Sequence, residues 1–330
     1  METTAILLAA GEGKRMKSDK PKVLHKVCGR SLLEHVLRAA ESVSQRQVIV
    51  VGHGREQVME EMGEGFVYVT QEEQLGTGHA VKMAEAYLDC REAMVLCGDT
   101  PLLDSRIMAS LLEVHRQEDA LGTVLTARVQ RPAGYGRVLR GEDGRVLRIV
   151  EDRDASPGER KIQEINTGTY CFHGPALRQA LDRLSTDNAQ GEYYLTDVME
   201  MLARQGKTAA CPLPDHRMAQ GVNSREELAE AARVMREVIN KNLMLSGVTL
   251  LDPLTTYVDA GVQVLENTVI YPNTVIEGES RVGRECLLGP NCRILDAVLE
   301  DRVTCRESVI VGSTVSRGAV IGPFAHIKGE

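Results

Sequence analysis

Two kinds of hydrophobic pattern divide the chain, and one gives way to the other near residue 222. Before that point, short apolar runs alternate with segments in which apolar residues have helical spacing. This alternation predicts an α/β fold, with a mostly parallel, Rossmann-like sheet and helices on both faces. The predicted strands are residues 5–10, 47–51, 67–70, 93–97 and 123–128.

Helical and antiparallel elements complete this first domain, which we place at residues 1–222. Ser31 and Glu34 form a capping box that predicts a helix to about residue 43. Residues 77–88 and 105–117 also have helical spacing. Residues 134–151 alternate as in a β-hairpin, and residues 167–172 resemble another strand. We expect these strands to be antiparallel additions that wall one side of a pocket.

A single helix connects the first domain to the rest of the chain. Ser224 and Glu227 form a second capping box, and apolar residues recur at helical spacing from Leu228 to Leu243. Gly247 follows as a C-terminal signal. We therefore predict a linker helix within residues 223–247.

A strict six-residue repeat fills residues 248–330. Its large apolar positions are Val258, Val264, Ile270, Ile276, Val282, Leu288 and Ile294. The fourth residue after each is compact, and two of these are Cys286 and Cys292, which we expect to face inward. The phase slips near Leu299, and we expect it to resume at Val303, Val309, Val315, Ile321 and Ile327. A hexapeptide repeat is typical of a parallel β-helix.

Composition narrows the range of functions. The net charge is −8 and aromatic residues make up only 3% of the chain, so a general nucleic-acid surface is not expected. The eight cysteines form no CxxC pair, which favours reduced thiols. The start of the chain lacks a basic signal region, and no apolar run approaches the length of a membrane span. We expect a cytoplasmic protein without a membrane or nucleic-acid partner.

The segment after the first predicted strand carries the strongest chemical signal. Gly11 and Gly13 permit close approach of the backbone to an anion. Cations follow at Lys14, Arg15, Lys17, Lys20 and Lys22. The segment lacks the Gly-Lys-Ser/Thr of a Walker loop and the third glycine of a dinucleotide loop. From these residues alone, a polyphosphate site and a solvated basic loop remain equally open.

Several motifs in order carry a resemblance that separates these alternatives. The first motif joins residues 8–16 with residues 21–24. The second runs from Gln71 to Ala80, and the third, residues 96–102, contains Gly98 and Asp99. The remaining motifs are residues 134–137, 162–168, 190–197 and 221–223. The chain from residue 4 onward resembles bacterial N-acetylglucosamine-1-phosphate uridylyltransferases, in which a left-handed parallel β-helix follows the nucleotidyltransferase domain. In that family a second activity acetylates glucosamine 1-phosphate from acetyl-coenzyme A.

The resemblance implies a reaction and a role for each matching residue. UTP and N-acetylglucosamine 1-phosphate would give UDP-N-acetylglucosamine, a cell-wall precursor, and pyrophosphate. Arg15 and Lys22 would be catalytic along the triphosphate, while Asp99 and Asn223 would bind Mg2+. Substrate contacts would come from Leu8, Ala9, Ala10, Gly11, Lys22, Gln71, Gly76, Thr77, Gly98, Asp99, Gly136, Glu151, Asn166, Thr196 and Asn223.

The implied chemistry needs positioning and positive charge more than a base. A sugar phosphate is already ionised at neutral pH, so cations and a metal can lower the barrier between anions. We therefore interpret His25, His53 and His79 as packing or supporting residues. Each site residue also has a structural alternative: Asp99 can be a turn residue, Asn223 part of a helix start and Glu151 an exposed charge.

Three alternatives stay open at this point. They are another nucleotidyltransferase (cytidylyl or thymidylyl), a hexapeptide acyltransferase with a degenerate front domain, and a non-catalytic scaffold. The family's β-helix is longer, and Lys328 stands where the family usually has an arginine that binds the amino sugar. We expect a truncated β-helix that lacks most of the acetyl-transfer site and still forms a homotrimer.

Overall fold

The computed structural model describes residues 2–329, which form two compact units. The first unit contains Met1–His25 and Ser31–Glu227, and the second contains Lys26–Arg30 and Leu228–Glu330. The short segment Lys26–Arg30 therefore belongs to the second unit although it lies some two hundred residues before the rest of it. No local sequence pattern indicates this assignment.

A nine-stranded sheet forms the centre of the first unit. Its strands in chain order are β1 (Thr3–Ala9), β2 (Arg46–Val51), β3 (Val67–Thr70), β4 (Glu92–Cys97), β5 (Gly122–Arg128), β6 (Arg137–Arg140), β7 (Val146–Val150), β8 (Glu164–His173) and β9 (Thr208–Pro212). The main order is β9-β5-β8-β4-β1-β2-β3, and β6 pairs with both β7 and β8. Neighbours are parallel except around β6, β7 and β8.

Helices pack against both faces of this sheet and enclose two apolar clusters. They are α1 (Leu32–Glu41), α2 (Arg55–Met62), α3 (Thr77–Met83), α4 (Ser105–Gln117), α5 (Gly174–Leu181) and α6 (Thr196–Ala203). Short 3-10 turns cover Lys14–Met16, Lys22–Leu24, Glu85–Tyr87, Glu159–Lys161 and His216–Ala219. Ile6 on β1 lies in one cluster and Leu7 in the other, because successive strand residues point to opposite faces. The predicted α/β class is confirmed.

Two predicted elements differ in extent. The helix predicted for residues 77–88 ends at Met83, because the amide of Ala84 bonds to Val81 and that of Tyr87 to Ala84 in the tighter 3-10 pattern. The strand predicted for residues 167–172 is the longer β8, Glu164–His173. It runs antiparallel to both β4 and β5, with a register shift between Asn166 and Tyr170.

The linker helix α7 covers Arg225–Leu245, and its amphipathic pattern buries Ala231, Val234 and Met235. Ser224 caps it as predicted, since its hydroxyl accepts from the amide of Glu227 at 3.2 Å. Among the described residues, none of the helices has the length and apolar content that crossing a bilayer requires.

The rest of the second unit is a left-handed parallel β-helix of short strands in three flat sheets. The strands are Thr249–Leu250, Tyr257–Val258, Gln263–Val264, Val269–Ile270, Val275–Glu277, Arg281–Val282, Leu287–Leu288, Arg293–Leu295, Val298–Leu299, Thr304–Cys305, Val309–Val311, Thr314–Val315, Val320–Ile321 and His326–Lys328. The seven apolar positions from Val258 to Ile294 are all buried, as are Cys286 and Cys292. The repeat therefore forms the core as predicted.

The repeat after residue 294 corrects part of the predicted phase. Cys305 and Ile310 occupy the large inward positions, and the predicted Val309 is only half-buried. Val303 is buried, but at the compact position four residues after Leu299. The steps from Ile294 to Leu299, from Cys305 to Ile310 and from Ile310 to Val315 each contain five residues. Three sides of the β-helix coils are therefore one residue shorter than the six-residue repeat, whereas the sequence predicts a single phase slip near Leu299.

Candidate active site

Side chains from three separate segments of the first unit meet at the carboxyl ends of β1 and β4. The ammonium Nζ of Lys22 donates to Asn223 Oδ1 at 2.9 Å and also contacts Asp99 Oδ2. Asp99 follows β4, and its backbone oxygen accepts from the amide of Val222 at 2.9 Å. Residues separated by 77 and 201 positions along the chain thus surround one cation.

The loop after β1 contains a glycine whose backbone conformation and close neighbours disfavour any side chain. Gly13 has φ +66°, and a Cβ atom there would lie 2.6 Å from Cβ of Lys22. Two 3-10 turns follow, Lys14–Met16 and Lys22–Leu24, with Met16 and Leu24 buried beneath them. Arg15 therefore lies on the first turn and Lys22 on the second.

The start of α7 holds Asn223 in place. The carboxylate of Glu227 accepts from the backbone amide of Asn223 at 2.6 Å, while Ser224 caps the amide of Glu227. The capping box recognised in the sequence thus positions the residue immediately before it.

A cavity of about 270 Å3 adjoins this cluster. It is lined by eight of the predicted residues, namely Leu8, Ala10, Gly11, Lys22, Gln71, Gly76, Thr77 and Asp99. Five further residues were not predicted: Val23, Gln74, Ala80, Cys97 and Glu192. Gln74 belongs to the quoted motif and donates to the carbonyl of Ala10 at 2.8 Å. Glu192 also lies in a quoted motif, residues 190–197, although the resemblance assigns it no role.

A second cavity of about 330 Å3 contains Arg15. Lys22 and Gln74 line both cavities, and Asn223 lines the second. The two spaces therefore meet at Lys22. A ligand with an apolar end and a long anionic tail could extend from one to the other.

Ala9 and Gly98 lie behind the cavity wall. Ala9 is buried, and the amide of Gly98 donates to the carbonyl of Leu8 at 3.0 Å. A Cβ atom on Gly98 would itself lie 3.0 Å from that carbonyl. Both residues therefore bring β1 and the end of β4 together at the base of the site.

The four predicted sugar residues form two pairs outside the first cavity. The amide of Asn166 donates to the carbonyl of Gly136 at 2.9 Å, and the hydroxyl of Thr196 donates to Glu151 Oε1 at 3.2 Å. Burial raises the pKa of Glu151, and nearby Asp197 adds to this effect. Glu151 and Asp197 line a third cavity of about 200 Å3.

Cys97 lines the first cavity together with Asp99. Burial raises the pKa of Cys97 to about 12, and the charge of Asp99 acts in the same direction. Its Sγ lies 3.4 Å from the carbonyl of Gly168. The thiol therefore stays protonated and has no nucleophilic role near neutral pH.

Oxygen ligands for a hard cation are present, but they are few. Residues 2–329 contain no group of three or more His, Cys, Asp or Glu side chains arranged for a metal. Asp99 and Asn223 do direct one carboxylate and one amide oxygen at the same cationic nitrogen. This donor set suits a divalent cation that takes its remaining ligands from water and phosphate.

Comparisons with known proteins agree over nearly the whole chain. Residues 5–205 match the family described as MobA-like NTP transferase domain. The bifunctional protein GlmU of Bacillus velezensis is 47% identical over 98% of this chain and 72% of its own length. GlmU of Exiguobacterium is 47% identical over 99% of this chain and 74% of its own length. GlmU of Clostridioides difficile is 42% identical over 99% of this chain and 72% of its own length.

Solved structures share the fold of the first unit. A UDP-glucose pyrophosphorylase in complex with UDP-glucose has a TM-score of 0.60 at 18% identity, covering 72% of this chain and all of its own. A glucose-1-phosphate thymidylyltransferase from Bacillus anthracis has a TM-score of 0.60 at 20% identity, and the match covers 71% of this chain and 96% of the other. At these identities the likeness concerns the fold alone.

Proposed function

Because this chain belongs to the family of bifunctional GlmU proteins, it is a sugar-1-phosphate uridylyltransferase, and we propose which residues perform each part of the reaction. UTP and N-acetylglucosamine 1-phosphate are converted to UDP-N-acetylglucosamine and pyrophosphate. The observation that carries the assignment of residues is the convergence of Lys22, Asp99 and Asn223 beside the glycine loop. Of the two activities in the relatives' name, we assign residues for uridylyl transfer alone.

UTP occupies the first cavity and extends past Lys22 into the second. Leu8, Ala10 and Gly11 contact the nucleotide through their backbone, with Ala9 and Gly98 supporting them from behind. Gln71, Gly76 and Thr77 contact the uracil edge at the opposite wall. The triphosphate lies along Lys22 and Arg15, whose cavities share a wall.

N-acetylglucosamine 1-phosphate is held by Gly136, Asn166, Glu151 and Thr196. The carboxyl group of Glu151 accepts a hydrogen bond from Thr196, and its raised pKa indicates a site with little contact with water. Such groups suit hydroxyl and amide recognition, because an unpaired partner would be costly there. The sugar phosphate then approaches the α-phosphate of UTP from the side opposite the pyrophosphate.

Family membership implies a divalent metal, and we propose Mg2+ bound by Asp99 and Asn223. Carboxylate and amide oxygens are ligands that Mg2+ accepts, so Asp99 and Asn223 would hold it, and phosphate oxygens and water would supply the remaining ligands. When bound, it neutralises phosphate charge as a Lewis acid. The Lys22 ammonium contacts the same two oxygens that would hold the metal.

The reaction is one in-line displacement at phosphorus. A phosphate oxygen of the sugar attacks the α-phosphorus as the bond to the bridging oxygen of pyrophosphate breaks. No proton has to be removed, because the attacking phosphate is already ionised. Arg15 and Lys22 stabilise charge that grows on the leaving pyrophosphate, an electrostatic effect that increases the rate directly.

We further propose how the chain is organised around this site. Residues 1–222 perform the transfer together with Asn223, residues 223–247 also connect the two parts, and residues 248–330 present the flat β-helix faces through which a homotrimer assembles. A cytoplasmic location fits the use of UTP and the eight free thiols. A sedimenting monomer would contradict the trimer without affecting the reaction.

One assay tests the reaction. Pyrophosphate release is measured with each of the four NTPs, with dTTP and with several sugar 1-phosphates, at set Mg2+ concentrations and with chelator. We expect release with UTP and N-acetylglucosamine 1-phosphate only when the divalent metal is present. Preference for CTP or dTTP would overturn the uridylyl assignment, and full activity with chelator would overturn the metal assignment.

A further inference from the structure

The side-chain amide of Gln71 makes two contacts that the assignments above leave unused. Its Nε2 lies 3.1 Å from the carbonyl oxygen of Gly76 and 3.1 Å from Nδ1 of His79. A carbonyl oxygen only accepts, so the atom facing it is the amide nitrogen and not the amide oxygen. In the tautomer that completes this contact, Nδ1 of His79 accepts the second amide hydrogen and Nε2 carries the ring proton.

Both amide hydrogens of Gln71 are therefore used inside the protein. Within residues 2–329 its Oε1 has no hydrogen-bond donor, and it is not among the fully enclosed polar atoms. Gln71 is 4% exposed and lines the nucleotide cavity. The side chain thus presents a single acceptor to a ligand and no donor.

The surrounding backbone holds this arrangement rigidly. The amide of Gln71 donates to Val51 at 2.8 Å at the end of β3. Gly76 has φ +106°, and a Cβ there would lie 2.7 Å from the carbonyl of Tyr193. The amide of Gly78 donates to that same carbonyl at 2.8 Å, and the ring of Tyr193 lies beside His79 with centroids 6.1 Å apart.

We propose that His79 is a positioning residue that sets base selectivity, because it fixes the Gln71 amide with its oxygen toward the nucleotide. This inference rests on the proposed function. Uracil has an N–H donor at N3, which pairs with an acceptor. Cytosine has a bare acceptor nitrogen at N3, which would face Oε1 with two lone pairs opposed.

Accepting cytosine would require the amide to rotate by half a turn. Its oxygen would then face the Gly76 carbonyl, which is repulsive in either histidine tautomer, and it would face Nδ1 of His79, which could donate only after the ring proton moved from Nε2 to Nδ1. Buried hydrogen-bonding groups discriminate strongly when the wrong ligand leaves them unpaired. Thymine has the same N3–H donor as uracil. The oriented Gln71 amide therefore discriminates UTP from CTP and does not discriminate UTP from dTTP.

The test compares kcat/KM for UTP and CTP, with N-acetylglucosamine 1-phosphate held at saturation. In the wild type we expect a preference of at least about 1000-fold for UTP. His79→Leu and His79→Ala remove the acceptor, and we expect each to lower that ratio about tenfold, mainly through the KM for UTP. His79→Asn offers an amide oxygen near the Nδ1 position, and we expect it to keep the ratio within about threefold.

A double-mutant cycle with Gln71→Leu separates positioning from a general structural role. In the Gln71→Leu background, we expect His79→Leu to change the UTP/CTP ratio less than about twofold. An unchanged ratio in both His79→Leu and His79→Ala would overturn the inference, and so would an equal loss in the double variant. If wild type releases no pyrophosphate with UTP, the proposed function fails instead.

Discussion

The two units contrast in how their contacts relate to sequence. In the β-helix, Val264 pairs with Val282 and Ile276 with Ile294, and each partner is eighteen residues away. In the first unit, Lys22 meets Asn223, 201 positions later. A repeating unit builds a uniform core, whereas an α/β sheet gathers distant loops at one edge of the sheet.

This contrast separates stability from chemistry. The β-helix interior consists of apolar and small side chains such as Ile270, Leu288 and Cys286, and its charged pairs lie outside. In the first unit, charged side chains are half-buried beside the ends of strands, as with Asp99 after β4 and Lys22 on a 3-10 turn. Substitutions in the first unit's site should therefore change rates, and substitutions in the β-helix should change unfolding.

The largest expected effect is at the proposed metal site. We expect Asp99→Ala to lower kcat about 1000-fold or more, because it removes the carboxylate that contacts Lys22. Binding of Mn2+, followed by its paramagnetic resonance signal, should weaken in parallel. Asp104→Ala is the control, since Asp104 caps α4 and should cost about 1 kcal/mol of stability with kcat unchanged. Normal kcat in Asp99→Ala would remove that residue from the site.

The next effect is at the first 3-10 turn. We expect Arg15→Ala to lower kcat about 100-fold with little change in the KM for UTP, since its contact strengthens as charge moves to pyrophosphate. Lys14→Ala is the neighbouring control, because Lys14 is exposed and paired with Glu12 at 2.9 Å. Its kcat should stay within about twofold. Equal losses in the two variants would mean that only general charge matters.

A smaller effect, on stability, should arise in the β-helix. Ile276 is fully buried, and we expect Ile276→Ala to lower the free energy of unfolding by about 3 kcal/mol. Hydrogen exchange read by mass spectrometry should show faster exchange in strands that pair with Val275–Glu277, at constant kcat. Arg293→Ala removes only an exposed pair with Glu277 and should cost less than about 0.5 kcal/mol. A large fall in kcat for Ile276→Ala would contradict the separation between stability in the β-helix and catalysis in the first unit.

The smallest effect concerns a buried carboxylate in the first unit. Glu92 accepts from Arg116 at 2.7 and 2.8 Å and from Thr3 at 2.8 Å, and the hydrogen bonds from Arg116 lower the pKa of Glu92. The resulting stability is present above the ordinary pKa near 4.5 and is lost as pH falls through the lowered value.

We therefore expect Glu92→Gln to lower the free energy of unfolding by about 2 kcal/mol at pH 7. Urea titrations from pH 7 to pH 3 should show a shallower pH dependence in this variant than in wild type. Glu118→Gln, which removes an exposed pair with Lys207, serves as control and should follow wild type. Parallel curves for Glu92→Gln and wild type would show that Glu92 is not the titrating group.

Sequence patterns predicted the elements that depend on neighbours in the chain. The serine caps at Ser31 and Ser224 and the repeat up to Ile294 are local signals, and the structure confirms them. The six-residue period predicted Val309 as the inward residue, but Ile310 is the buried one. The prediction was wrong because a side of the coil with five residues differs from one with six only in the length of its turn. Hydrophobic period alone does not fix turn length.

The amino-acid sequence by itself determined the two architectures, the glycine-basic loop and, through resemblance, the reaction. Only the tertiary structure brought Lys22 to Asn223, assigned Lys26–Arg30 to the second unit and placed Nδ1 of His79 against the Gln71 amide. The reason is physical. Periodicity records which side of an element is buried, while a hydrogen bond between distant loops depends on distances and angles that exist only after the sheet has assembled.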